Sequence, residues 1–360
     1  MYNSAIIGGG ILGLWAARHA IKRGESVVLI EKRRVGSGAS GGFLGALMPH
    51  MPDGWNVKKQ FQYDGLSTLG KAIEELEDDT GMDCGFRRCG RIMPLTHDKI
   101  LQQVERRIEG ANQNWSDDYA MFLSEDAQSH SGWFNPVIGS FGLQYDTLSA
   151  RVNPRAYIAS LATYVRANSW IIEGVEAVSL NMAAASGDIA LSNGEIISAD
   201  RVIIASGWEA YPLLQPYFGK MNNDQPIGRG VKGQALLVEF RHEDEMPVVY
   251  HDGCYIVPHT DNKVAIGSTS VNQWTGAPEA FDPEDMEFYQ NALKLVPMLK
   301  DAPIVGRWAG VRPRNTLEGR GTSPWFGPVP NQENLIALIG GFKITFGVAH
   351  LDLVRQGFTQ

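Results

Sequence analysis

The apolar positions keep one rhythm at the N-terminus and another in the second half of the chain. Ala5-Ile6-Ile7 runs into Gly8-Gly9-Gly10-Ile11-Leu12-Gly13, an apolar-faced segment reaches Gly24, and Val27-Val28-Leu29-Ile30 ends on Glu31. That order predicts strand, tight turn, helix and strand, one βαβ unit. Leu66, Leu69, Ile73 and Leu76 recur at helical spacing within 60–79, with Glu74, Glu75, Glu77, Asp78 and Asp79 as the solvated face. Residues 84–94 read as β-like and turn-rich, and 99–109 as a charged amphipathic helix. The polar stretch to 140, carrying Trp115, Trp133 and Phe134, reads as an irregular excursion. Asn153 and Pro154 supply an N-cap and a first-turn proline for a helix to 166. Short strands follow at 170–172, 189–191 and 200–204. From Gly233 the period becomes strand alternation, and 235–240, 248–250, 253–257 and 263–268 predict consecutive antiparallel strands. Asp282 and Pro283 open a helix to about 299. A last strand at 335–339 leads through Gly340-Gly341-Phe342-Lys343 into a final helix.

Nucleotide-type elements at both ends and near residue 200 therefore bracket a β-rich insertion. The fold predicted is α/β. A Rossmann-like dinucleotide-binding domain is assembled from 1–85, 146–215 and 306–360, and a second domain with a mainly antiparallel sheet from 86–145 and 216–305. No internal repeat or low-complexity tract interrupts this division.

In the first unit each glycine has a task. Gly8 makes the turn, Gly10 lets the backbone approach a pyrophosphate, and Gly13 lets the helix pack closely on the strand. The positive end of that helix faces the phosphates. Glu31, roughly 20 residues on, is placed to accept hydrogen bonds from a ribose diol. The small residues of Gly36-Ser37-Gly38-Ala39-Ser40-Gly41-Gly42 suit backbone threaded close past a bulky group, with Ser40 able to bond a phosphate. Phe43, Leu44 and Leu47 are poor linker residues, which favours an ordered contact there. The apolar strand at 200–204 ends in Ala205-Ser206-Gly207, as a strand at a ligand crevice does.

Composition removes other classes. A formal charge of −8 argues against a dedicated binder of nucleic acid or anionic membranes. Three cysteines, Cys84, Cys89 and Cys254, build neither a disulfide framework nor a metal site, and inert thiols in a reducing cytoplasm fit them better. The N-terminal apolar run is broken by glycines, Arg18, His19, Lys22 and Arg23, so it reads as neither signal peptide nor membrane span. A cytoplasmic protein is expected, with its oligomeric state left open.

With these residues in view the chain resembles the D-amino-acid oxidase-like flavoenzymes, especially the glycine oxidase and sarcosine oxidase branch. The likeness spans nearly the whole length. Beside the segments above it rests on Gly233, Tyr255-Ile256-Val257-Pro258, Ala265-Ile266-Gly267-Ser268-Thr269, Gly310-Val311-Arg312-Pro313-Arg314, Phe326-Gly327-Pro328 and Gly340-Gly341-Phe342-Lys343. The resemblance implies an FAD-binding domain and a substrate domain over the flavin's reactive face. It implies oxidation of the Cα–N bond of a small amino acid or N-methyl amino acid, of glycine, sarcosine or D-amino acid type. Hydride would pass to flavin N5, then to O2 or another acceptor. It extends the cofactor contacts to Gly8, Gly10, Ile11, Leu12, Gly13, Glu31, Lys32, Ala39, Ser40, Leu44, Gly45, Ala46, Ala177, Ala205, Gly207, Trp208, Gly341, Phe342, Lys343, Ile344 and Thr345.

A carboxylate calls for a planar bidentate donor. Arg312 matches the family's carboxylate-binding arginine, with a surface arginine in a proline-rich turn as the other reading and Arg314 close by. Tyr255 matches a family tyrosine near that carboxylate, and reads equally as a strand tyrosine packed in the sheet. Lys343 stands where glycine oxidase-like chains carry an arginine, and is the third residue assigned to catalysis. His251 and His259 flank the Tyr255 strand and read as structural. No cysteine follows Cys254 and no histidine falls within 41–45, so FAD is expected to be non-covalent. Two other functions keep the fold: a 2-hydroxy-acid dehydrogenase passing electrons to a quinone or carrier, and a flavin-holding subunit without turnover.

Overall fold

The first βαβ unit folds as its apolar spacing requires. In a computed structural model that describes residues 1–360 except 125–131, 244, 284–285, 341–344 and 359–360, β1 is Tyr2–Ile7, α1 is Ile11–Lys22 and β2 is Val27–Glu31. β1 pairs in parallel with β2, Ala5 opposite Val28, and on its other side with Ile196–Ile204, Ile7 opposite Ile204. Outside these lie Trp170–Glu173 against β2 and Gln332–Ile339 against Ile196–Ile204, both parallel. Trp325–Val329 then closes that edge antiparallel. Successive side chains point to opposite faces, so Ile6, Leu29 and Ile203 enter one core while Ile7, Val28, Ile30 and Val202 enter another. Burial on both faces is why β2 reads as a continuous apolar run.

Helices cover one face of this sheet. Val57–Thr80 starts at Asn56, whose side chain accepts from the Lys59 N–H, and stops at the left-handed Gly81. It buries the expected Leu66, Leu69, Ile73 and Leu76. Pro154–Asn168 is capped by Asn153, whose Oδ1 accepts from the N–H groups of Arg155 and Ala156 at 3.1 and 3.2 Å. The opposite face carries Ala210–Phe218 beside the strands Ala177–Met182 and Gly187–Leu191.

A second sheet runs, in spatial order, Ile304–Asn315, Gly228–Glu239, Lys263–Gly267, Cys254–His259, Val248–His251, Arg91–Pro94, Leu143–Asp146 and Met121–Ser124. Its pairs are antiparallel except Val248–His251 with Arg91–Pro94. Ile304–Asn315 differs from expectation. Sequence reading resumed the nucleotide segments at 306, yet this strand lies along Gly228–Glu239 for its whole length. Gly306, Gly310 and Pro313 hide its alternation, and as an edge strand it tolerates a proline without a donor N–H. The excursion before 140 likewise contributes the edge strand Met121–Ser124.

Two helix expectations also shift. Past the undescribed 284–285, the helix is Glu287–Leu295 and starts without a side-chain cap. Asp282 instead bonds Gln234: its N–H donates to Gln234 Oε1, and Gln234 Nε2 donates to its carbonyl at 3.4 Å. After 344 two short helices, Thr345–Val348 and Leu353–Gln356, stand in place of one.

Candidate active site

The two sheets enclose a cleft of about 320 Å³ that runs from the glycine turn to Arg312. Gly8 sits at φ +111°, and a β-carbon there would lie 2.7 Å from the Ala205 carbonyl carbon. A β-carbon on Gly13 would stand 1.9 Å from the Gly8 carbonyl oxygen, so helix α1 seats on the turn only because residue 13 is glycine. Gly10 precedes the helix without a side-chain cap, and Ser40 Oγ accepts from the Ile11 N–H at 3.1 Å. A serine hydroxyl and a helix N-terminus therefore converge where a pyrophosphate would lie.

Glu31 is engaged through both carboxylate oxygens. Its Oε2 accepts from the Gly9 N–H at 2.8 Å and its Oε1 from the Arg33 N–H at 2.9 Å, which holds the glycine turn in shape. Lys32 bonds Glu176 at 3.0 Å, and Arg33 meets both oxygens of Glu209 at 3.1 and 3.3 Å. Arg33, Glu176 and Glu209 all line the cleft. Sequence reasoning missed these three, since pairs so far apart in the chain leave no local signal.

The small-residue segment is ordered by three anchors. Arg155 Nε donates to the Gly41 carbonyl at 3.0 Å, and its guanidinium lies 4.3 Å over the Phe43 ring. His259 Nε2 donates to the Phe43 carbonyl at 2.8 Å. Gly45, at φ +58°, leaves 1.9 Å between a β-carbon and the Val152 carbonyl oxygen.

Most other predicted cofactor residues also line the cleft: Lys32, Ala39, Leu44, Ala46, Ala177, Ala205, Gly207, Trp208 and Thr345 beside Gly8, Gly10, Ile11, Leu12, Glu31, Ser40 and Gly45. Gly13 does not, and serves packing as described. Gly341, Phe342, Lys343 and Ile344 lie outside the described residues.

Arg312 stands at the far end. Its Nη2 donates to the Thr269 carbonyl at 2.8 Å and its Nη1 to Ser268 Oγ at 3.3 Å. The guanidinium passes over Gly233, where a β-carbon would come within 2.9 Å of Nη2. Burial pushes its pKa below the ordinary guanidinium value; Tyr255 opposes that and the Arg314 charge adds to it. An anionic ligand relieves such a half-buried cation. Arg314 bonds Asn272 at 3.1 Å and does not line the cleft. Tyr255 is packed in the sheet at 9 % exposure with its ring 4.8 Å from that of Tyr250, and it also lines the cleft.

His251 and His259 are not in the lining, and burial holds His259 neutral, its pKa lowered to about 4. The three cysteines are buried free thiols outside the cleft; burial raises Cys84 and Cys254 to about 12. Among the described residues no cluster could hold a metal, and no helix is long and apolar enough to cross a membrane.

Residues 4–351 match the family model described as FAD dependent oxidoreductase. The chain belongs to that family. This FAD-dependent oxidoreductase is 27 % identical over 358 residues to a glycine oxidase of Geobacillus kaustophilus (strain HTA426), an alignment covering 95 % of this chain and 88 % of that one. A glycine oxidase of Bacillus licheniformis is 26 % identical over 347 residues, with the same coverage. The crystal structure of glycine oxidase from Geobacillus kaustophilus superposes with a TM-score of 0.84 at 24 % identity, covering 98 % of this chain and 92 % of that one. The fold is also that of L-proline dehydrogenase from P. horikoshii, at a TM-score of 0.78 and 18 % identity. FAD is the cofactor, and the residues fit it. The glycine turn leaves no room for β-carbons at Gly8 and Gly13, and Glu31 and Ser40 hold the turn and the α1 N-terminus through the Gly9 and Ile11 N–H groups, the frame a dinucleotide needs.

Proposed function

We propose that this oxidoreductase oxidises the Cα–N bond of a small amino acid or N-methyl amino acid, with O2 as electron acceptor. The observation that carries this reading is the half-buried Arg312 guanidinium, held by hydrogen bonds to Ser268 and Thr269 at the end of the cleft. A fixed planar fork selects a carboxylate through two parallel hydrogen bonds and orients the rest of the molecule from it. FAD, when bound, supplies the hydride acceptor. The chain's own part is positioning. Arg312 anchors the carboxylate, Tyr255 stands beside it, and Gly233 gives the guanidinium room. No strong side-chain base is required if the amine enters neutral, and alignment of the Cα–H bond does most of the work. The names of the glycine oxidases among its relatives agree with a small amino acid. Non-covalent attachment is supported by the burial of all three cysteines away from the cleft.

The test is anaerobic bleaching of the bound flavin across paired amino and hydroxy acids, followed by peroxide measurement when O2 is admitted. Small amino acids should bleach it and yield peroxide in proportion. Bleaching by hydroxy acids alone, or by none of the panel, overturns the reading.

A further inference from the structure

The wall of the second sheet that faces the cleft is floored by backbone. Gly233 lies opposite Gly310 in the register between Gly228–Glu239 and Ile304–Asn315, so the pair shares one face. Two residues either side of Gly310, on that same face, stand Trp308 and Arg312. A β-carbon on Gly310 would lie 2.4 Å from Trp308 Cζ2, and one on Gly233 would lie 2.9 Å from Arg312 Nη2. The indole and the guanidinium thus fold over the same glycine pair from its two sides. The same benzo ring also lies 3.4 Å from where a Gly42 β-carbon would be. Trp308 is half-buried, lines the cleft, and packs against the cluster that holds Phe43 and Tyr255.

We infer that Trp308 is a specificity-determining residue, whose indole fills the space beside the carboxylate clamp and confines the substrate's Cα substituent to hydrogen or a small group. The inference rests on Arg312 being that clamp. Smaller residues would leave the bare Gly233 and Gly310 backbone exposed to a longer side chain; the tryptophan covers it with a large rigid surface. Discrimination by such a wall runs at about tenfold or more for one methylene.

The test reads ligand binding rather than turnover. Perturbation of the bound flavin's spectrum gives Kd for acetate, butyrate and phenylacetate in wild type, Trp308→Phe, Trp308→Ala and Arg312→Ala, with flavin content measured in each. The expected result is acetate bound best by wild type, and a shift in the phenylacetate-to-acetate preference of at least about tenfold in Trp308→Ala. Trp308→Phe should move butyrate in the same direction by a smaller factor, and it carries the test if the alanine protein loses flavin. An unchanged preference in both variants, with acetate binding still lost in Arg312→Ala, overturns the inference alone. Acetate binding that ignores Arg312→Ala, or is absent from wild type, overturns the clamp and the inference together.

Discussion

The two walls of the cleft are built from different materials. On the parallel sheet's side the glycine-turn end is built largely from backbone and small residues close together in the chain: the glycine turn, Ser40 at the α1 N-terminus, and Glu31 holding Gly9. On the antiparallel side they come from side chains of separate strands, Tyr255 on one, Trp308 and Arg312 on another, with Ser268 and Thr269 just beyond a third. A backbone site needs only room and a correct turn, so it is written locally. A side-chain site depends on strand register, and no short stretch records it. The first wall suits a cofactor; the second suits variation in what is oxidised.

The comparison breaks most readily at Gly13. Its missing β-carbon lets α1 sit on the Gly8 carbonyl, so Gly13→Val should abolish flavin content. A yellow Gly13→Val protein with full flavin occupancy would mean that the turn does not set the first wall.

His259 joins the walls through its bond to the Phe43 carbonyl, and its burial makes protonation costly although that bond favours the charged form. Burial lowers its pKa to about 4; Arg151 also opposes the charged form and Asp261 favours it. His350 is lowered to about 3, again by burial. In the unfolded chain both protonate near pH 6.5. The unfolded state therefore binds more protons between pH 6.5 and 4, and stability, full above that window, falls as pH drops through it. For His259 alone the loss reaches about 3 kcal/mol by pH 4. Urea melts at pH 7.5 and 5 should show the decline, and His259→Gln should flatten it; equal slopes would remove His259 from the account.

Gly233 is the second wall's counterpart to Gly13. Gly233→Ala would press on Arg312 rather than on the cofactor, since its β-carbon would sit 2.9 Å from Nη2. Flavin should stay bound while substrate affinity falls about tenfold, a cost near 1.4 kcal/mol. Loss of flavin instead would show the walls to be one unit.

The smallest effect is expected at Glu31. Both of its oxygens accept backbone N–H groups, and glutamine would turn an NH2 toward one of them. Glu31→Gln should weaken FAD by several-fold, a loss near 1 kcal/mol, in a fluorescence titration of the apoprotein.

These differences match what could be read from the chain alone. The βαβ unit, the Asn153 cap and the strands from 235 to 268 were legible because spacing, caps and alternation are local. Ile304–Asn315 was not, since its glycines and proline mask the strand pattern that carries Arg312. Trp308 lies on the same strand and carries no local mark for the same reason. Resemblance singled out Arg312, but its setting against Ser268, Thr269 and Gly233 exists only once distant strands are in register. The Arg33–Glu209 pair in the cleft lining leaves no trace in the sequence pattern.

The most direct measurement is stopped-flow flavin reduction in wild type, Arg312→Lys and Arg312→Ala, with paired amines that carry or lack a carboxylate. Lysine keeps the charge and loses the fork, and alanine loses both. A charged hydrogen bond is worth roughly 1.5–3 kcal/mol, so alanine should slow reduction by the carboxylate substrate at low concentration by at least about tenfold. Lysine should fall between, flavin content should be unchanged, and the amine without a carboxylate should scarcely respond. Equal losses with both amines would contradict the assignment of Arg312 to the substrate carboxylate.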